Sequence, residues 1–224
     1  MATAMMADLG RLFFLVAPFT ILPVVAIDLF GPEPAKSLAT ITNKQLLIGL
    51  ALPSIISAFG QLAATHLVLN RELTPRDSLA AAAAGFPIFA LAQFLMGLPV
   101  GLGLLLLLVP GIWLFGRVLF VSGAAILMER SSAQLLLQRC WNLTAGNGAA
   151  ITLFLVLGLL GVVGIGLMAE GAGAALDVVA RFVGAPSIGR FLHALLPGIG
   201  NCFVTVGIGA ASAVAYRRLV AAAR

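Results

Sequence analysis

The chain has 224 residues, of which 61% are hydrophobic and only 9% are charged, and its net charge is +5. Because ordinary soluble domains carry about 25% charged residues, this composition excludes a typical soluble protein. The apolar residues do not alternate with polar ones as they do in outer-membrane strands. The basic residues are scattered and form no cluster of the kind that binds nucleic acid, so we expect no nucleic-acid partner.

The fold class follows from the longest apolar stretch. Residues 79–128 contain a single charge, Arg117. At 1.5 Å per residue, a helical segment of this length crosses a bilayer core of about 30 Å twice. Lipid offers no hydrogen-bond partners to backbone N–H and C=O groups, whereas a helix pairs these groups within itself. We predict an all-α polytopic transmembrane bundle of about six spans plus short interfacial amphipathic helices, forming a single membrane domain over residues 1–224.

The apolar stretches, taken in chain order, are separated by connectors that hold most of the charges. The spans are predicted at residues 12–29, 45–69, 79–98, 102–128, 149–168 and 195–215. The start of the chain resembles a signal peptide, but Asp8 and the lack of a clean cleavage site favour a retained first span. Pro18 and Pro23 should kink this span, since each removes a backbone donor.

Proline and glycine also divide the middle of the chain. The segment 97–101 contains Pro99 and is predicted as the turn between the third and fourth spans. Within the fourth span, Pro110 and Gly111 are expected to kink the helix or to break it into two halves. Pro-Gly-Ile recurs at residues 197–199, as an inverted repeat with broken helices would require, but three shared residues are expected by chance.

The connector after the fourth span carries the pattern of an amphipathic helix. Its apolar residues recur at the spacing of one helix face: Ala133, Leu136, Leu137, Cys140 and Trp141. A helix of about twelve residues is too short to span, so we predict an interfacial helix with Trp141 at the headgroups. A second short amphipathic helix is predicted around residues 176–183, with Asp177 and Arg181 as an i,i+4 pair.

The distribution of Lys and Arg predicts the orientation. With the N-terminus inside, the cytoplasmic side holds Arg11, Arg71, Arg76, Arg130, Arg139, Arg217, Arg218 and Arg224. The opposite side holds Lys36, Lys44, Arg181 and Arg190. Because positive residues accumulate on the cytoplasmic side, we expect both termini in the cytoplasm.

Arg117 is the one charge well inside a hydrophobic segment. A charge at the bilayer centre costs about 2.5–3.5 kcal/mol on insertion scales, so it needs a partner or a hydrated site. One interpretation is a contact to a lipid phosphate, a substrate anion or a carboxylate such as Glu129. The other is that Arg117 extends to the cytoplasmic interface from the last third of its span.

The sequence offers no pattern for catalysis or for a cofactor. His66 and His193 are expected near opposite membrane faces, and no His, Cys and acidic residues have the spacing of metal ligands. No serine-nucleophile or phosphate-loop motif occurs. Cys140 and Cys202 are expected to be free structural cysteines. We therefore expect that the protein is not an enzyme and that it binds neither a cofactor nor a metal ion.

Small and polar residues in the later spans are expected to pack helices together. These are Gly158, Gly161, Gly164 and Gly166 in the fifth span and Gly207, Gly209 and Ala213 in the sixth. An oligomer interface or a substrate path is the alternative role for them. Gln61 and Asn201 are expected to form a hydrogen bond between the second and sixth spans.

Residues 108–117 and 128–147 resemble a known group of proteins. In that group a Pro-Gly turn precedes an Arg, an acidic residue follows the span, and a connector reads roughly Arg-Ser-Trp-x-Leu-Thr-x-Gly-Asn. The matching residues here are Pro110, Gly111, Arg117, Glu129, Arg139, Trp141, Leu143, Thr144, Gly146 and Asn147. Cys140 replaces the usual Ser, and Ala145 replaces a frequent basic residue.

The sequence thus resembles bacterial six-span proteins related to the membrane domain of glycerophosphoryl diester phosphodiesterase. The resemblance implies a helical inner-membrane protein connected with envelope or lipid homeostasis. The phosphodiesterase relatives carry catalysis on a separate soluble domain, which we do not expect here, so the resemblance implies no enzymatic activity.

We therefore expect a non-enzymatic protein that binds membrane lipids or a membrane partner, either another protein or a second copy. The candidate lipid- or partner-binding residues are Arg117, Glu129, Arg139, Trp141 and Asn147. Arg71 and Arg76 are expected on the same cytoplasmic surface. The alternative is a small-solute or lipid transporter, or a permease subunit, which would need a water-filled cavity that reaches Arg117, Gln61 or Asn201.

Overall fold

The computed structural model describes residues 2–31, 42–70, 72–106, 108–129 and 131–223. Within these ranges the protein is an all-α helical bundle without strands. The helices are α1 Ala2–Phe30, α2 Asn43–Gln45, a π-helical turn Leu46–Ala51, α3 Leu52–Leu69, α4 Pro75–Leu106, α5 Leu108–Val118, α6 Ser122–Glu129, α7 Ala133–Leu143, α8 Gly148–Phe182 and α9 Pro186–Ala222. Four of the basic residues whose distribution predicts the orientation lie outside the described residues: Arg71, Arg130, Arg224 and Lys36.

Six stretches of the described chain are long and apolar enough to cross a membrane. They are Leu9–Phe30, Asn43–Leu69, Pro75–Leu106, Val109–Glu129, Gly148–Phe182 and Pro186–Ala222. The chain is therefore a multi-pass membrane protein, as the composition predicts. Every predicted span overlaps one of these stretches, but several boundaries differ.

The turn predicted at residues 97–101 is wrong, because α4 continues through Pro99 to Leu106. A proline in a membrane helix leaves only a few backbone groups to be satisfied, whereas a lipid-exposed turn would leave many. The next helix starts after residue 107 and packs closely on α4. A Cβ atom on Gly103 would lie 3.0 Å from the Gly111 Cα, so small residues permit this approach.

The break predicted at Pro110 and Gly111 is also misplaced. Pro110 falls in the first turn of α5, where a proline costs no intrahelical hydrogen bond. The helix is interrupted instead at residues 119–121, between α5 and α6. The residues at this break are buried in protein, which is where irregular backbone is tolerated at membrane depth.

The separate short helix predicted around residues 176–183 does not form. It is the C-terminal part of α8, which continues to Phe182, and α9 begins at Pro186. Gly184 has a φ of 82° in the intervening turn, a conformation that favours glycine. The predicted i,i+4 pair is confirmed, with Arg181 Nη2 lying 2.6 Å from Asp177 Oδ2.

The described chain divides into two compact units. The first unit is Met1–Gln61 with Val162–Val206, and the second unit is Leu62–Gly161 with Gly207–Arg224. We describe each by itself, and the single domain expected from the sequence stays a prediction.

In the first unit, aromatic contacts and glycines bring helices together. The Phe19 and Phe59 ring centroids are 5.2 Å apart, and Gly60 has no side chain to obstruct Phe19. The Asn201 Nδ2 atom donates to Ser57 Oγ at 3.5 Å, so Asn201 joins the same two spans as predicted, with Ser57 as a partner.

Of the small residues predicted to pack helices, Gly209 and Ala213 of α9 are buried, whereas the predicted glycines of α8 meet no neighbouring helix among the described residues. At each of the following, a Cβ atom would meet nothing within 4 Å: Gly158, Gly161, Gly164, Gly166 and Gly207. The close contacts lie elsewhere, in the first unit. A Cβ atom on Gly200 would lie 3.1 Å from Ala169 Cβ, and one on Gly173 would lie 3.1 Å from His193 Nδ1.

In the second unit, α4, α5, α6 and α7 pack against one another. The largest fully buried side chains include Phe89 of α4, Ile126 of α6 and Leu136 of α7. Gly123 lets α6 approach α4, since its Cβ would lie 3.5 Å from the Phe89 ring. The buried face of α7 contains Ala133, Leu136, Cys140 and Leu143, so the predicted amphipathic helix is confirmed. The candidate residues of the sequence all belong to this unit.

Candidate functional site

The Arg117 side chain lies against both tryptophans of the chain. Trp113 precedes it by one turn on α5, on the same helix face. The guanidinium carbon is 3.9 Å from the Trp141 ring centroid and 5.2 Å from that of Trp113. The two rings are perpendicular, with centroids 5.6 Å apart. Trp113, Arg117, Trp141 and Thr144 form what we call the arginine box.

Arg117 also binds the C-terminal end of α7. Its Nη2 atom donates to the Trp141 carbonyl at 2.9 Å, and its Nε atom donates to Thr144 Oγ1 at 3.4 Å. The last carbonyls of a helix have no intrahelical partner and carry a partial negative charge. A cation at this position therefore satisfies the carbonyl and is stabilised by the helix dipole.

Thr144 is fully buried and links the ends of α5 and α7. Its Oγ1 atom is 3.0 Å from the Arg117 carbonyl, 2.8 Å from that of Cys140 and 3.1 Å from that of Trp141. The hydroxyl has one proton, so it donates to one of these oxygens at a time. Because α5 ends at Val118, the Arg117 carbonyl is among those that need an external donor. Arg117 and Thr144 thus support each other.

The arginine box is partly open. Trp113 is 37% exposed and Trp141 is 39% exposed, and Arg117 is half-buried. Of the five N–H groups of Arg117, two donate to Trp141 and Thr144. The remaining three find no acceptor among the residues that the structure describes. The box is therefore partly accessible and holds a fixed cation with spare donors.

Gly148, at the start of α8, packs on the box from another direction. A Cβ atom there would lie 3.1 Å from Trp113 Nε1 and 3.5 Å from Arg117 Cδ. Asn147, just before it, contributes through its backbone. Its N–H donates to the Thr144 carbonyl at 3.1 Å, and its own carbonyl accepts from the Ile151 N–H at 3.0 Å. Asn147 thus lies just before α8 and accepts a backbone hydrogen bond from its first turn, and it is not part of the arginine box.

A second polar cluster connects α6, α7 and α9. Arg139 Nε lies 3.0 and 3.1 Å from the two carboxylate oxygens of Glu129. The Tyr216 hydroxyl donates to Glu129 Oε1 at 2.9 Å. The side chains of Arg139 and Glu129 are 44% and 30% exposed, so the ion pair is worth at most about 1 kcal/mol. The suggestion that Glu129 neutralises Arg117 is wrong, because its carboxylate binds Arg139 and Tyr216.

Cys140 lies between these polar groups but is fully buried. Burial raises the pKa of its thiol to about 12, and the negative charge of Glu129 adds to the shift. The thiol therefore stays protonated at neutral pH and packs as an apolar side chain. No group of three His, Cys or acidic side chains able to hold a metal ion occurs in the described ranges.

The structure therefore divides the predicted site residues. It brings Arg117 together with Trp141 and, separately, Glu129 with Arg139. Sequence reasoning missed Trp113, Thr144 and Tyr216 as members of these clusters. Trp113 had a local signal, its i,i+4 spacing from Arg117, whereas nothing local points to Tyr216. Arg71 lies outside the described residues, and Arg76 is exposed at the start of α4.

Comparison with family models, with curated proteins and with solved structures gave no match for this chain.

Proposed function

We propose that this protein is a non-enzymatic, multi-pass protein of a bacterial inner membrane that binds the phosphate of an anionic membrane lipid at Arg117. Its role would lie in envelope or lipid homeostasis, and both termini would be cytoplasmic. The observation that carries the proposal is the partly open arginine box, in which three guanidinium N–H groups have no acceptor among the described residues.

The chemistry of the box supports a phosphate ligand. Charge-assisted hydrogen bonds from Arg to phosphate are short and about twice as strong as neutral ones. Arg117 is already fixed by Trp141 and Thr144, so little side-chain entropy remains to be lost on binding. Half-exposed tryptophans are typical of the headgroup region of a bilayer, where lipid phosphates lie.

A transporter of lipids or small solutes is the second candidate. It is favoured by the interruption at residues 119–121, because broken helices form substrate sites in several transporter folds. The residues at this break are Leu119, Phe120 and Val121, which are apolar and buried. A polar solute would find no partner among these side chains, so lipid binding has the stronger support.

Tryptophan fluorescence tests the proposal directly, because the chain has two tryptophans and both belong to the arginine box. The protein would be placed in phosphatidylcholine nanodiscs that contain brominated phosphatidylglycerol or brominated phosphatidylcholine as quencher. We expect brominated phosphatidylglycerol to quench about three-fold more strongly, because its headgroup lacks the choline cation that offsets the phosphate charge in phosphatidylcholine. An extra attraction of about 0.6 kcal/mol corresponds to this ratio. Arg117→Gln should abolish the difference, and Arg117→Lys should retain part of it.

Arg181→Gln is the matched control, because Arg181 is paired with Asp177 on α8 and lies outside the box. It should leave the preference unchanged. Equal quenching by both lipids in the unmodified protein would refute the proposal, as would an undiminished preference in a folded Arg117→Gln variant. Circular dichroism and gel filtration establish that the variants are folded.

A further inference from the structure

A groove of about 230 Å³ lies between α4 and α6 in the second unit. It is lined by Ala81, Ala84, Gly85, Ile88, Ile126 and Leu127. The four residues of α4 follow the i, i+3, i+4, i+7 spacing of one helix face. The groove lies within two candidate membrane spans, so lipid rather than water is its surrounding solvent.

The two helices of the groove run in opposite directions. A Cβ atom on Gly85 would lie 3.8 Å from both Ile126 and Leu127, whereas Gly123 lies opposite Phe89. The start of α4 and the end of α6 are therefore at the same end of the groove. Glu129 follows Ile126 by three residues, on the same helix face, and binds Arg139.

This end of the groove is polar and has a cation available. Arg139 is 44% exposed and uses only its Nε–H for Glu129. The other four N–H groups of its guanidinium have no acceptor among the described residues. Of the carboxylates here, Glu129 is paired with Arg139 and accepts from Tyr216. Asp77 accepts from Thr74 and keeps its negative charge, which the neighbouring Arg76 stabilises. An apolar slot thus ends beside a cation with free donors.

We propose that this groove holds one acyl chain of a membrane glycerophospholipid, whose phosphate binds the outer N–H groups of Arg139. A second copy of this chain fits less well. The lining residues of α4, from Ala81 to Ile88, extend over about 10 Å, and a helix with its side chains is about 10–12 Å wide. A flexible alkyl chain fills a short apolar slot, and the phosphate complements the cation. This site is separate from the arginine box and does not depend on the proposed function.

The test uses phospholipids that carry a photoreactive diazirine on the acyl chain, in nanodiscs with the full chain. Labelled peptides are identified by mass spectrometry after irradiation. We expect the label to concentrate on residues 81–88 and 126–127. Ala84→Leu fills the groove and should lower this labelling about five-fold. Ala83→Leu is the matched control, because Ala83 is exposed and does not line the groove; its labelling should equal that of the unmodified protein.

Headgroup dependence separates phosphate binding from simple chain insertion. Arg139→Gln should lower the labelling about three-fold with both phosphatidylglycerol and phosphatidylethanolamine, which share the phosphate. A photoreactive diacylglycerol, which lacks the phosphate, should label the unmodified protein as weakly as the two phospholipids label Arg139→Gln. A preference for phosphatidylglycerol alone, or strong labelling by diacylglycerol, would overturn the role of Arg139 as a phosphate ligand.

Other outcomes would overturn the groove itself. Labelling of Ala84→Leu at the level of the unmodified protein is one such outcome, because the filled groove should not hold an acyl chain. Labels spread evenly over the exposed residues of α8 would show that the groove is not a preferred site. Cross-links between two copies at Ala84 would show that a second copy occupies it. The tryptophan quenching assay on Ala84→Leu keeps the two sites apart. Its lipid preference at the arginine box should persist, so loss of one site with retention of the other identifies which proposal fails.

Discussion

The broken span Val109–Glu129 and the continuous helix α8 are both apolar enough to cross a membrane, but their surroundings are opposite. Of the 18 most apolar consecutive residues of the broken span, 67% are buried inside the protein, whereas in the corresponding stretch of α8 only 6% are buried. The broken span carries Arg117 and an interruption, and its glycines meet neighbouring helices. The middle glycines of α8 meet nothing within 4 Å. The irregular backbone at residues 119–121 thus occurs where protein, not lipid, surrounds the chain.

The largest effect that follows from this comparison is at Gly111. A methyl group there would overlap the backbone of Leu104 on α4, which cannot move aside like a flexible side chain. We expect Gly111→Ala to destabilise the protein by about 2–3 kcal/mol, because overpacking forces the two helices apart. Thermal unfolding in detergent, followed by helical circular dichroism, measures this loss. An unchanged midpoint would contradict the close approach of α4 and α5.

Thr144 should have the next largest effect. Thr144→Val keeps the shape of the side chain but removes the hydroxyl that lies between the Arg117 carbonyl and the Arg117 Nε–H. Buried groups left without a partner cost about 1–3 kcal/mol, and we expect a loss in that range. The tryptophan emission should shift as well, because Arg117 loses one of its two anchors. Thr144→Ser keeps the hydroxyl and is the control; equal losses in both variants would show that the hydroxyl bonds contribute nothing.

Cys140 tests whether the buried face of α7, which packs against the other helices of the second unit, excludes water as the structure indicates. Since the folded pKa of about 12 lies above the ordinary value of 9.0, the buried protonated thiol contributes stability below pH 9.0 that is lost as pH rises towards 12. In a Cys202→Ala background, we expect alkylation at about pH 8.5 to be about a hundred-fold slower in the folded protein than in denaturing detergent. Comparable rates would show that α7 is detached or hydrated.

Local features of this fold were predictable from the sequence. Each apolar stretch became a candidate span, because hydropathy is read over about 20 consecutive residues. The helix α7 and the Asp177–Arg181 pair were also predicted, since both depend on spacing within one helix. The helix breaks were misplaced because prolines such as Pro99 are tolerated inside membrane helices, where neighbouring elements satisfy the freed groups.

The candidate site was only partly predictable, and for a different reason. Arg117 could be identified from the sequence, because a charge in an apolar stretch has a high free energy of insertion into the membrane. Its partners depend on how α7 folds back on α5, which no short-range pattern specifies. Tyr216 lies 87 residues from Glu129 along the chain, so only the tertiary structure places its hydroxyl on the carboxylate.

The smallest effect sharpens the comparison from the side of α8. A Cβ atom on Gly161 would meet nothing within 4 Å, so Gly161→Ala meets no neighbour among the residues that the structure describes. Alanine is favoured over glycine in a helix interior by about 0.5–1 kcal/mol, and the variant should be as stable as the unmodified protein or slightly more so. The same unfolding assay, run beside Gly111→Ala, measures both ends of the comparison in one protein. A loss in Gly161→Ala would mean that this face of α8 packs against something other than the described part of the chain. Cross-linking between copies at Leu160 would then determine whether that neighbour is a second molecule of the same protein, since tight glycine contacts are typical of associating membrane helices.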